Sequence, residues 1–270
     1  MNEGTPNYDR PVEIADHIFW VGFHETESNL HCNPYLIVEE DRAVLIDAGS
    51  RPDFPVVMLK ILQTGLSPDK ITALIYHHPD PDLCGSMSNM LDICANPEII
   101  ILSDPDNNVF LSYYIEREKR SCLRSLDEYG DTFSLGERTL RFFRTPFAHS
   151  AGSFVTYDAK TRTLFTSDLF GSQSRQWDLF LRLSDACPTC RDYDHCPNGR
   201  EYCPLPDILE FHRKVMPSGK ALKHAMDVIG SLDLEMIAPQ HGSILTGKQD
   251  IRFLIERLGS LSGVGIDGLA

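Results

Sequence analysis

At 270 residues and 42% hydrophobic composition, the chain is long enough to bury a full core, as one large domain or two small ones. Its 25 basic and 39 acidic side chains leave a formal charge of −14, which repels phosphate backbones and anionic lipid and excludes nucleic acid and membrane surfaces as expected partners. No apolar run approaches the roughly 20 residues that span a bilayer, and the start, MNEGTPNYDR, lacks the basic-then-apolar pattern of a secretory signal, so the cytoplasm is the expected location.

Short apolar strands alternate with amphipathic helices along the chain. HIFWVGF (17–23), PYLIVEE (34–40) and RAVLIDAG (42–49) read as strands, rich in β-branched and aromatic residues and ended by turn formers. A helix follows, with Ser50 as the expected N-cap and Phe54, Val57, Met58, Ile61 and Leu62 at helical spacing. Next come a strand at 70–76, a helix near 86–94, a strand at 98–103 and a polar-faced helix near 106–119. Strands are expected at 138–145, 153–159 and 162–168, helices near 206–216 and 219–232, a short strand at 235–240 and a last helix near 248–258. Strands and helices in this order imply an α/β layered fold around one core.

Candidate metal ligands sit where these strands end. In IYHHPDPDLCGSM, His78, Asp80 and Asp82 alternate, and in an extended loop alternate residues point the same way. His149 follows the strand at 138–145 in TPFAHSAGS, Asp168 ends the one at 162–168 in LFTSDLFG, and His241 ends a later one in APQHGS. Singly each has an ordinary explanation: a turn histidine, an N-cap aspartate, a residue before a glycine turn. Four such loops at strand ends, where α/β folds bind ligands, are harder to dismiss.

Taken together, HPDPDLCG, TPFAHS, LFTSDLFG and APQHG, with WVG and NPYLI…AVLIDAG before them, resemble the metallo-β-lactamase superfamily, specifically its flavodiiron or oxygen-binding di-iron branch. The resemblance spans roughly residues 15–250. It implies an αββα sandwich formed by a single domain, 1–270, with an insertion at about 185–205. It further implies two irons, one held by His78, Asp80 and His149 and the other by Asp82 and His241, with Asp168 bridging them. A carboxylate at Asp80, where hydrolytic relatives carry a second histidine, gives a harder, more oxygen-rich set that suits iron over zinc.

Two positions depart from the branch's pattern. Asp80 stands where the branch has Glu, and Leu83 stands where it has the motif's last His. Leucine coordinates nothing. The second metal is then open at one position, or filled by another donor (His77, Cys84, His24 or His31), or weakly held; an open or water-filled position is the expectation. His24, His31 and His77 are also candidates for donors behind the metal ligands.

The stretch CPTCRDYDHCPNGREYC carries Cys187, Cys190, Cys196 and Cys203 among turn formers. Four cysteines including a CxxC pair make a tetrahedral zinc set or an iron–sulfur set, with His195 as a spare donor. Flavodiiron relatives continue into a flavin-binding domain, whereas this chain ends at GVGIDGLA, so no FMN domain is expected. Electrons would then come from a cluster on the cysteines or from a redox partner protein. The expected function is binding and reduction of O₂ or NO, an oxidoreductase. The competitors are a di-metal hydrolase of phosphodiesters or thioesters and an O₂ or iron sensor without turnover. A homodimer is compatible with the resemblance.

Overall fold

The computed structural model describes residues 6–24, 28–174, 176–183, 185–190, 192–196 and 199–269. It divides into two compact units: Met1–Glu25, His31–Phe142 and Asp158–Thr161 form the first, and Thr26–Leu30, Phe143–Tyr157 and Arg162–Ala270 the second.

The first unit opens with an antiparallel run, β1 (Val12–Ala15), β2 (Ile18–Trp20), β3 (Tyr35–Glu39) and β4 (Arg42–Ile46). Helix α1 (Phe54–Gln63) leads to β5 (Ile71–Ile75), then to the one-turn α2 (Pro81–Cys84) and to α3 (Met87–Cys94). Next come β6 (Ile100–Ser103), α4 (Pro105–Leu111) and β7 (Leu123–Ser125), with β4 to β7 parallel. The result is a seven-stranded sheet in the order β1-β2-β3-β4-β5-β6-β7. Of its parallel strands, β4, β5 and β6 read as near-continuous apolar runs, the pattern of strands covered on both faces. Leu45, Leu74 and Ile101 from the sheet, Val57 and Ile61 from α1, and Met87 and Met90 from α3 share one buried cluster.

The strand expected at 138–145 is one half of a hairpin, β8 (Thr132–Leu135) with β9 (Arg138–Arg144). The buried Arg138 anchors it in the first unit. Its guanidinium donates to Glu39 at 3.0 Å, Asp158 at 3.1 Å and the Asp16 carbonyl at 2.8 Å.

The second unit contains β10 (Phe154–Asp158, whose last residue belongs to the first unit), β11 (Thr163–Phe165), β12 (Phe180–Leu181), α5 (Leu205–Val215), α6 (Gly219–Ile229), β13 (Met236–Ala238), β14 (Ile244–Thr246) and α7 (Lys248–Gly259). Its strands run in the order β12-β14-β13-β11-β10. Leu209 of α5, Leu222 and Met226 of α6, and Leu254 and Leu258 of α7 pack with Leu164 and Ile237 in its core.

Two local expectations are corrected. Asp53, not Ser50, caps α1, and its carboxylate accepts the Ser50 N–H at 2.8 Å. The helix expected near 106–119 ends at Leu111, and a separate 3-10 turn begins at Arg117. No helix among the described residues is long and apolar enough to cross a membrane.

Candidate metal centre

Each unit carries half of the candidate ligands. In the first, Ile75 closes β5 and the chain runs on through His77 and His78 to Asp80, which is extended (φ −79°, ψ 148°) and caps α2. The Asp80 carbonyl accepts the N–H groups of Leu83 at 3.1 Å and Cys84 at 3.0 Å, so the motif's second half is wound into a helical turn. Gly85 is required there, since a Cβ would come within 2.4 Å of the Pro81 carbonyl oxygen. His78 is buried, and its Nε2 lies 3.6 Å from Asp80 Oδ2. Asp82, in the first turn of α2, is partly buried.

The same turn sends Leu83 inward. Its side chain is fully buried in the first unit's apolar cluster beside Cys84 and Met87. Position 83 of this chain therefore serves packing. Two of the proposed replacements are also committed elsewhere. The Cys84 thiol donates to the Asp80 carbonyl at 2.8 Å, and burial pushes its pKa well up. His77 is clamped by Asp47: its N–H donates to Oδ1 at 3.1 Å and its Nδ1 lies 2.5 Å from Oδ2. The His77 carbonyl in turn accepts from Asn107 at 3.0 Å. This bracing fixes the loop that presents His78. His24 and His31 have ring centroids 5.1 Å apart with their planes tilted by 32°, and His31 is buried. Sequence reading passed over Cys32, which is 6% exposed and places its Sγ within 4.8 Å of an Asp82 carboxylate oxygen.

In the second unit three loops converge on one carboxylate. Asp168 is 5% exposed, with Oδ2 lying 3.0 Å from His149 Nε2 and Oδ1 lying 3.6 Å from His241 Nε2. Each oxygen faces a different imidazole, the arrangement of a carboxylate able to serve two cations at once. The loops are held rigidly. The Thr145 carbonyl accepts the Ala148 N–H at 3.0 Å, and the Ser150 carbonyl accepts the Phe147 N–H at 2.8 Å. The Ser167 carbonyl accepts the Gln240 N–H at 2.7 Å, tying the Asp168 and His241 loops together. Phe147, Ser167 and Phe170 all have positive φ, conformations costing roughly 1–3 kcal/mol each that such bonding sustains around a site. Gly242 follows His241 at φ +78°, where a Cβ would meet Ser172 Oγ at 2.4 Å.

His212, also missed by sequence reading, supports this turn from α5. Its Nε2 accepts the Phe170 N–H at 2.9 Å while Nδ1 donates to the Ile208 carbonyl at 2.7 Å. Burial pushes its pKa down to about 4, outweighing the Ile208 bond and the Asp168 charge, so the ring is neutral and in one tautomer. A buried histidine on an amphipathic helix gives no sequence signal that separates it from a surface one.

The four clustered cysteines all lie in the second unit and none is disulfide-bonded. Cys190 closes a turn on Cys187, its N–H reaching the Cys187 carbonyl at 3.2 Å. Burial raises the Cys203 thiol pKa against the opposing Leu205 backbone bond, and Cys187, Cys190 and Cys196 raise it further. The stretch has more anchorage than its composition implies. Cys187, Tyr193 and Cys203 pack on the core, and the Tyr193 hydroxyl accepts from Arg257 at 3.0 Å. His195 is exposed and paired with Asp192 at 3.0 Å. Arg191, Pro197 and Asn198 lie outside the described residues.

The model of the ODP family beta lactamase matches residues 30–242. The chain is 27% identical over 247 residues to the type A flavoprotein fprA of Rhodobacter capsulatus, covering 87% of this chain and 52% of that protein. It is 26% identical over 229 residues to the rubredoxin-oxygen oxidoreductase of Megalodesulfovibrio gigas, covering 83% of this chain and 52% of that one. It thus spans about half the length of the curated relatives it matches. A solved structure described as a peroxy diiron species of chemotaxis sensor ODP matches with TM-score 0.74 and 25% identity, over 96% of this chain and 98% of that one. The fold is the metallo-β-lactamase-like fold, mixed α/β with two sheets, that the motifs implied.

Proposed function

Because the chain belongs to the ODP family of β-lactamase-like proteins, we propose that it is a non-haem di-iron protein that binds O₂ or NO. The observation that carries this reading is Asp168, with one imidazole nitrogen set against each carboxylate oxygen. A hard carboxylate between imidazoles suits iron, and the family resemblance adds His78, Asp80 and Asp82 as ligands. Iron bound there would supply an electron-rich centre able to take up a diatomic gas. The protein's own part is to hold the ligands in place: Asp47 through His77, Asn107 through the His77 carbonyl, and His212 through Phe170.

Gas binding that signals is the first reading, supported by the likeness to the structure described as a peroxy diiron species of chemotaxis sensor ODP. Reduction is the second reading, supported by the four grouped cysteines, which would hold a 4Fe-4S cluster as electron donor or a zinc as a staple. We read the chain as one functional domain acting in the cytoplasm, with a redox partner needed only for the second reading.

An oxygen electrode separates these readings. Iron-loaded, fully reduced protein is expected to take up about one O₂ per iron pair and stop, even with a reduced small-molecule donor present. Sustained uptake with that donor would establish the reductase. No uptake, with hydrolysis of a generic phosphodiester under anaerobic conditions, would replace both with the hydrolase.

A further inference from the structure

We infer that Cys32 is a metal ligand, a thiolate on the same ion that Asp82 holds. The inference deepens the di-metal reading and rests on it. Asp82 belongs to the metal motif, and the donor expected beside it is missing because Leu83 is turned into the apolar cluster. Cys84, the nearest cysteine in sequence, donates its thiol to the Asp80 carbonyl. Cys32 instead puts its sulfur within 4.8 Å of an Asp82 oxygen, the separation of two donors before an ion draws them together with bonds of about 2.3 Å and about 2.0 Å.

The backbone on either side of Cys32 is fixed. A Cβ on Gly22 would come within 2.3 Å of the Cys32 carbonyl oxygen, so that glycine is what lets the two segments close on each other. Asn33 Oδ1 accepts from the Trp20 indole at 2.9 Å, and the Pro34 carbonyl accepts the Val21 N–H at 3.0 Å. The thiol is thereby held beside the carboxylate. A buried thiolate next to a carboxylate is electrostatically unfavourable alone, and a divalent or trivalent cation between them reverses the sign. The site would thus have one soft sulfur donor where the family motif supplies an imidazole, which suits iron or zinc and disfavours manganese or magnesium.

Cobalt(II) serves as the probe, because a sulfur–cobalt bond gives a near-ultraviolet charge-transfer band that nitrogen and oxygen donors do not. The full chain with Cys187, Cys190, Cys196 and Cys203 all changed to Ser is titrated anaerobically. The expected result is a sulfur–cobalt band that disappears on adding Cys32→Ser, while Cys32→His binds as much cobalt without the band. A band that survives Cys32→Ser, or two cobalt ions bound with no band at all, overturns the proposal and leaves the di-metal reading standing. No cobalt bound overturns both. If the four-serine chain does not fold, the natural chain is compared with its Cys32→Ser variant, and a loss of about one fifth of the band is expected, one sulfur bond among five. An unchanged band there also overturns the proposal.

Discussion

Leu83 shows how one residue can leave a ligand motif and join a core. It is fully buried among Cys84, Met87 and their neighbours. Leu83→Ala is therefore expected to cost about 2–5 kcal/mol of stability, read from urea unfolding. Leu83→His, which restores the motif's letter, is expected to destabilise the fold without raising metal stoichiometry, because the side chain points into apolar packing. At His212 the pH dependence has a definite sign. Its folded pKa of about 4 lies below the ordinary 6.5, so the unfolded chain takes up the proton first. Its contribution is complete above pH 6.5 and is lost as pH falls towards 4, a decline on the order of 3 kcal/mol. Metal-free His212→Gln should lack that portion of the acid slope in denaturation curves taken at each pH. The candidate ligands His78, Asp80, Asp82, His149, Asp168 and His241 could be proposed from sequence because each occupies a short motif at a strand end. Cys32 and His212 could not, since their roles depend on which atoms they meet across 50 and 42 positions of chain.

Among the elements, the apolar strands and the amphipathic helices were legible, the short β2, β11 and β13 included, whereas β1, β7, β8, β12 and β14 were not. β3, β4 and β5 carry dense β-branched runs, whereas β12 has two residues and β14 three. The last two exist because a neighbour offers hydrogen bonds, not because of their own composition. Likewise β8 and β9 pair around a turn whose tie point is Arg138. Its guanidinium meets Asp158, whose side chain is as fully buried as its own. Removing the cation leaves that carboxylate uncompensated, so Arg138→Met is expected to destabilise by about 3–5 kcal/mol in thermal or urea unfolding. Asp158→Asn combined with Arg138→Met should recover part of that loss, because no buried charge is then left without a partner.

At the scale of the molecule, each of the two units contains three of the six carried-over ligand positions. The metallo-β-lactamase-like fold was legible from the motifs' order along the chain. The cysteine stretch reads in sequence as a candidate metal-ligand pattern, and nothing there shows that it is seated on the core through Tyr193, Cys187 and Cys203. Replacing Cys187 and Cys190 by Ser is expected to remove the metal or cluster of that stretch and leave the di-iron pair, as read by iron, zinc and acid-labile sulfide. The central claim, a di-iron centre, is tested most directly by the same measurement on the natural chain purified without air. The expected result is two irons per chain in excess of acid-labile sulfide, whether or not a cluster adds about four of each. One metal per chain, or zinc or manganese in place of iron, would contradict it.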